Sequence, residues 1–198
     1  MFFHTLVFVI VLSPLCFAGK DASSLAKTCL FDWLNSKASG SHNQIHCYRL
    51  ELLMKCLSNP TTGSSRLLDD FRFIVQQEGI FAQKYAICPK IRSEEFKTIT
   101  KLVEETGIAR DYRYDEIDDD QWSACAKRVH TLCINEYIDV FYKHKLCKDF
   151  SSFVSCLNAE KTKINCESKL IKHMSDMYDK VGNAFLDEIR KTLGRKCP

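Results

Sequence analysis

The chain has 198 residues, with 28 Lys and Arg against 25 Asp and Glu and a formal net charge of +3. This surplus of positive charge is too small to indicate a nucleic-acid partner. A hydrophobic fraction of 45% and an aromatic fraction of 11% are normal for a packed globular protein and exclude a disordered chain.

The first predicted element is a secretory leader. An apolar segment without Asp, Glu, Lys or Arg precedes Lys20. Cys16 and Ala18 satisfy the small-residue rule for signal-peptide cleavage, so we expect residues 1–18 to be removed. The apolar segment is shorter than the ~20 residues that a membrane-spanning helix needs. No later apolar segment approaches that length, so residues 19–198 are predicted to be a secreted chain without a membrane span.

Apolar residues recur at helical spacing throughout the mature chain, and strand-like alternation is convincing nowhere. Caps, glycines and prolines divide the pattern into separate helices. The first predicted helix follows a cap at Asp21 or Ser23, the second covers about 43–58, the third runs from about 65 to Pro89, and the fourth from Ser93 to Gly107. A long helix over about 119–145, a short helix holding 150–157 and a last helix over about 166–193 complete the predicted set. The expected fold class is all-α.

The cysteine count indicates disulfides. Eleven cysteines, less Cys16 in the leader, leave ten, and an even number in a secreted chain favours five bonds. Zinc ribbons need close pairs such as Cys-x2-Cys, whereas no two cysteines here are closer than Cys125 and Cys133. The sequence therefore predicts a disulfide-rich helical bundle and no zinc site built on cysteine.

A repeated pattern suggests how the cysteines pair. Cys-x8-Cys-Leu occurs at 47–57 and again at 147–157, each time in a predicted helix. Nine residues turn a helix by about 900°, so the two cysteines of each copy face opposite sides and bond to different neighbours. This geometry predicts a middle helix joined to one on either side. The predicted pairs are Cys29–Cys56, Cys47–Cys88, Cys133–Cys156, Cys147–Cys197 and, from the two that remain, Cys125–Cys166.

The most polar segment, ARDYRYDEIDDD, is the candidate linker between two related halves, 19–107 and 119–198, each a possible three-helix unit. Its acidic residues do not form an EF-hand, because Asp120 and Ala126 occupy the positions that require Gly and Glu. Solvated carboxylates before a helix N-terminus explain them. Arg and Tyr are frequent interface anchors, and the candidate partner contacts are Arg110, Tyr112, Arg113 and Tyr114, although a linker with buried tyrosines fits equally.

A search for catalytic motifs finds none. H-E-x-x-H, G-x-S-x-G and a phosphate-binding glycine loop are absent from the sequence. His42 and His46 lie four residues apart and can share a helix face, but a surface pair at a helix start is simpler than a metal site. His130, His144 and His173 look isolated and are expected at the surface or half-buried. We therefore expect no enzymatic activity, no cofactor and no metal.

Several features of the sequence occur together in one known family: the leader, the helices at 47–57 and 147–157, Cys125-x7-Cys133, Cys166 and Cys197. In these features the chain resembles the nematode secreted cysteine-rich proteins classified as domain of unknown function 19. The resemblance implies a secreted helical domain with the cysteines as disulfide partners, and it implies no established activity and no catalytic residues.

Two functions remain open from the sequence. The leading hypothesis is an extracellular, disulfide-stabilised protein that acts by binding a protein or matrix partner, without catalysis. The alternative is a carrier of a small hydrophobic ligand, with Met and Phe of the last helix lining a lipid cavity. Ordinary helical core packing is the simpler explanation of those residues.

Overall fold

The computed structural model describes residues 20–63, 65–89, 91, 94–107, 117–144, 150–192 and 194. The predicted leader, the pair Cys147 and Cys197, and the candidate contacts Arg110, Tyr112, Arg113 and Tyr114 lie outside the described residues. None of the helices in the described part of the chain is both long and apolar enough to cross a membrane.

The fold is all-α, as the helical spacing predicts. The helices are α1 (Ala22–Leu34), α2 (His42–Leu57), α3 (Arg66–Lys84), α4 (Glu94–Thr106), α5 (Ser123–His144), α6 (Ser151–Lys163), α7 (Lys169–Met177) and α8 (Asn183–Thr192). A 3-10 turn at Asp120–Trp122 precedes α5, and a turn of π-helix at Tyr178–Gly182 joins α7 to α8. Two short strands, β1 (Lys20–Asp21) and β2 (Thr61–Thr62), pair in parallel.

Side-chain caps fix where the first two helices begin. Asp21 accepts a hydrogen bond from the backbone N–H of Ser24 at 3.0 Å, which makes it the cap of α1. Ser41 and Gln44 form a reciprocal capping box at the start of α2. Each arrangement satisfies backbone N–H groups that have no partner within their own helix.

Helix α3 ends earlier than the sequence predicts. It stops at Lys84, not at Pro89, because Ala86 adopts the left-handed conformation with φ of 49°. That conformation commonly terminates a helix, but the residue is usually Gly, so an alanine gives no signal in the sequence. The helix runs unbroken through Gly79, where a side chain would lie 2.5 Å from the ring of Phe96 and 2.7 Å from Met54. Gly79 permits close packing of α3 against its neighbours.

Helix α3 is the centre of the bundle. It packs against α1, α2, α4 and α8, and every residue from 70 to 79 is buried. Phe71 of α3 lies against Phe185 of α8, with ring centroids 4.8 Å apart. Buried residues of both predicted halves belong to one hydrophobic cluster. The halves therefore share a core, and the first contributes four helices to it.

In the part of the chain that the structure describes, four disulfides tie the helices together, and each is one of the pairs that the sequence predicts. The observed bonds are Cys29–Cys56, Cys47–Cys88, Cys125–Cys166 and Cys133–Cys156. The first two hold α2 from opposite sides, one to α1 and the other to the turn that follows α3. The other two hold α5 to α6 and to the segment before α7. The fifth predicted pair lies outside the described residues.

The expectation of a fully solvated acidic segment is wrong at Asp119, which is only 1% exposed. Its carboxylate accepts hydrogen bonds from the hydroxyl of Tyr85 at 3.1 Å and that of Ser168 at 2.5 Å. It also accepts from the backbone N–H groups of Lys169 and Leu170 at 3.0 and 3.2 Å. Asp119 therefore caps α7 across the fold, favoured by the helix dipole, and bonds the first half to the second. Burial, then the charge of Asp119, raises the pKa of Tyr85 above its usual range.

We expect the double substitution Cys47→Ser with Cys88→Ser to lower the free energy of unfolding. The bond closes a segment of 41 residues, and losing that constraint on the unfolded chain corresponds to about 4 kcal/mol. Urea unfolding without reductant measures the effect. A loss below about 1 kcal/mol would contradict a structural role for this bond.

Asp119→Ala should destabilise the fold by about 3 kcal/mol, because it leaves several buried donors without an acceptor. The matched control is Asp120→Ala, since Asp120 is exposed and its loss should change stability by less than about 0.5 kcal/mol. Thermal and urea unfolding of the two variants provide the comparison. Equal effects would show that Asp119 contributes only charge.

Candidate functional site

A cavity lies in the core between α1, α2, α3, α5 and α8. Its volume is about 100 Å³. Leucine, isoleucine, valine and aromatic side chains form most of its wall, among them Leu50, Leu53, Ile74, Ile134, Phe185 and Leu186. Polar groups enter the wall mainly at one region, where His46, Arg49 and Glu78 line it. The cavity thus has an apolar body and a polar end.

The polar end belongs to a buried cluster of three titratable side chains from three helices. His46 is on α2, Glu78 on α3 and His130 on α5, and they are 8%, 5% and 0% exposed. Glu78 Oε2 lies 3.8 Å from His46 Nε2 and 3.4 Å from His130 Nε2. The histidine rings meet edge to face, with centroids 5.7 Å apart. We call these three residues the His–Glu–His cluster.

The helices place these side chains in the core for simple geometric reasons. His46 lies one turn before Leu50, and Leu50 and Leu53 also face the cavity. Glu78 lies on α3, which has no solvent-facing side at this point because its neighbours surround it. His130 packs with its ring centroid 4.5 Å from that of Phe81.

Hydrogen bonding satisfies only one side of the Glu78 carboxylate. The hydroxyl of Tyr178 donates to Oε1 of Glu78. Glu78 Oε2, His46 Nε2 and both ring nitrogens of His130 have no partner with hydrogen-bond geometry. Buried polar atoms are rarely left in this state, because the desolvation penalty of each is then uncompensated. The cluster is therefore a costly polar feature of the described core.

The protonation of the cluster follows from its burial and charges. Burial lowers the pKa of His46 to about 4, against the opposing effect of the Glu78 charge. His46 is thus neutral at neutral pH. Burial also opposes ionisation of Glu78, but His130, His46 and the Tyr178 hydroxyl outweigh it and hold the pKa of this carboxyl below its usual range. The carboxylate is therefore a buried anion.

The sequence-based expectation for the histidines is wrong on two counts. His46 was expected at the surface beside His42 but is buried with Glu78 and His130. His130 was expected to be isolated and at least partly exposed, yet it is fully buried. No linear motif links the three residues, because each comes from a different helix and only tertiary packing brings them together. The candidate contacts at 110–114 lie outside the described residues.

Comparisons with known proteins add no relative: no family model, no curated protein and no solved structure matches this chain.

Tyr178→Phe should lower the free energy of unfolding by about 2 kcal/mol, because it removes the hydrogen bond to the buried Glu78 carboxylate and keeps the ring. Tyr48→Phe is the matched control, since Tyr48 is 48% exposed and should change stability by less than about 0.5 kcal/mol. Urea unfolding of the oxidised proteins measures both. An unchanged stability for Tyr178→Phe would mean that this bond does not offset the burial of Glu78.

Proposed function

We propose that the protein is an extracellular carrier that holds a small, mainly apolar molecule in the core cavity and performs no catalytic step. The observation that supports this function is the cavity itself, which combines an apolar wall with a single polar end. Apolar pockets with a few convergent polar groups are the usual form of small-molecule binding sites. The alternative drawn from the sequence thus receives geometric support.

The size of the cavity limits the ligand. Protein cores are packed to crystal density and contain few voids larger than a water molecule, whereas this one measures about 100 Å³. An apolar cavity of about 150 Å³ in another protein stays dry and takes up benzene. A single ring or a short alkyl chain is therefore the class of ligand that fits. Its contacts with the wall would replace dispersion contacts that the empty cavity lacks.

The extracellular part of the proposal is supported by the disulfides. Four bonds occur among the described residues, and such bonds persist mainly in oxidising compartments. The predicted leader at 1–18 agrees with export. Removal of that leader and secretion of the mature chain remain parts of the proposal.

Binding of a protein or matrix partner through Arg110, Tyr112, Arg113 and Tyr114 stays a prediction. These residues lie outside the described ranges, so no distance or contact favours this function over the carrier.

The experiment uses benzene and phenol, two single-ring compounds, as probes of the folded, oxidised mature chain. Binding should raise the melting temperature, with the stabilisation growing as the logarithm of ligand concentration above the Kd, and shift the NMR signals of cavity-lining residues. Ile134→Phe places a larger side chain in the cavity wall and should weaken binding at least about tenfold, equivalent to about 1.4 kcal/mol.

Leu132→Phe is the matched control, because Leu132 lies on the same helix and is 44% exposed. This variant should bind the probes as the unmodified protein does. Equal loss in both variants, or no binding of either probe to the unmodified protein, would overturn the carrier function. Mass spectrometry of an organic extract of protein from its native source would then identify the natural ligand of a confirmed carrier.

A further inference from the structure

The His–Glu–His cluster has the composition of a metal site. One ligand atom from each of His46, Glu78 and His130 lies within 4.8 Å of the other two. All three side chains are buried, and they come from α2, α3 and α5. Imidazole nitrogen and carboxylate oxygen are ligands that Zn²⁺ and related divalent ions prefer.

A shared proton alone explains the geometry poorly. An N–H group of either histidine in an ion pair with Glu78 would donate at about 2.8 Å and in line with the carboxylate oxygen. The observed distances are 3.4 and 3.8 Å, and neither contact has hydrogen-bond geometry. The three ligand atoms instead lie within 4.8 Å of one another, a spacing that one shared ion can bridge after a small rearrangement.

We infer that His46 Nε2, Glu78 Oε2 and His130 Nε2 form a binding site for one divalent transition-metal ion, with zinc as the best match. Two histidines and one carboxylate are a known ligand set for zinc, and they leave a fourth position for water or another ligand. His46 and Glu78 also line the cavity, so the proposed site lies beside the apolar space.

The change in geometry needed for binding is small. Ligand atoms of a tetrahedral zinc ion lie ~3.4 Å apart, from metal–ligand distances near 2.0–2.1 Å. The two contacts of Glu78 Oε2, at 3.4 and 3.8 Å, are already close to that value. The upper bound of 4.8 Å means that the two histidine nitrogens would have to approach each other by at most ~1.4 Å to reach the tetrahedral spacing.

Neighbouring groups partly support the site. The Tyr178 hydroxyl bonds Oε1 of Glu78 and leaves Oε2 directed at the histidines, as outer hydrogen bonds do for metal-bound carboxylates. His130 Nδ1, in contrast, has no acceptor, and this lowers the expected affinity. Among the described cysteines, Cys47 and Cys133 lie nearest in sequence to the two histidines, and both are in disulfides. They cannot supply thiolate ligands.

This inference does not depend on the carrier function, because benzene requires no metal and a metal requires no apolar ligand. The test refolds the oxidised mature chain with Co²⁺ or Zn²⁺, so that a slow entry path does not hide binding. We expect one equivalent of Co²⁺ with the intense visible absorption of a four- or five-coordinate site. Zn²⁺ should displace it and raise the melting temperature.

The variants are Glu78→Gln, which keeps an acceptor for Tyr178, and His46→Gln. Each should weaken Co²⁺ binding at least about tenfold, the lower end of the effect of losing even an outer-shell partner. His173→Gln is the matched control, since His173 lies on α7 outside the cluster, and it should bind as the unmodified protein does. Circular dichroism checks that each variant folds.

The ¹⁵N shifts of the histidine rings in the unmodified protein give a second readout that does not depend on any variant. Two rings should show coordination through Nε2 when Zn²⁺ is present. The inference is overturned if the folded, unmodified protein takes up neither ion, or if uptake survives Glu78→Gln and His46→Gln. Uptake that His173→Gln abolishes would overturn it as well. Absence of uptake with a marked loss of stability in Glu78→Gln would identify a buried ion pair.

Discussion

The disulfides around α2 and α5 are the constraint on which the rest of the molecule depends. Cys47 is the residue after His46, and Cys133 lies one turn beyond His130 on α5. Each histidine of the cluster is thus carried by a backbone segment that is covalently fixed to another element. A buried carboxylate whose hydrogen bonding is incomplete carries an uncompensated desolvation penalty, which the rest of the fold must offset. The frame therefore makes it possible to keep Glu78 in the core.

The same frame accounts for the persistence of the cavity. A void of about 100 Å³ costs about 2 kcal/mol at the rate observed for truncated cores. One disulfide that closes a segment of 41 residues stabilises the fold by about 4 kcal/mol. A single bond of this kind exceeds the cost of incomplete packing. Space in the core is thus compatible with a stable fold and does not require tighter packing elsewhere.

Helix positions and the four disulfides among the described residues could be predicted because both follow from periodicity along one chain segment. The cysteines of α2 are nine positions apart, and helical geometry sends them to opposite neighbours. The predictions were wrong where tertiary contacts determine the local structure. Ala86 ends α3 in the left-handed conformation, which is usually occupied by glycine. Asp119 belongs to an acidic segment, but it is buried because its carboxylate accepts hydrogen bonds from the start of α7. The His–Glu–His cluster could not be predicted from the sequence, because its three residues lie far apart along the chain and form no local motif.

The cavity and the His–Glu–His cluster have two residues in common, because His46 and Glu78 belong to both. An ion held by these side chains would lie beside the apolar space. A cavity ligand with a donor atom within reach of the ion would then contact the ion and the cavity wall together. Since such coupling acts on binding free energies, the ion must change the affinity for this ligand by the same factor as the ligand changes the affinity for the ion. A purely apolar ligand, which has no donor atom, would lack this direct contribution to the coupling.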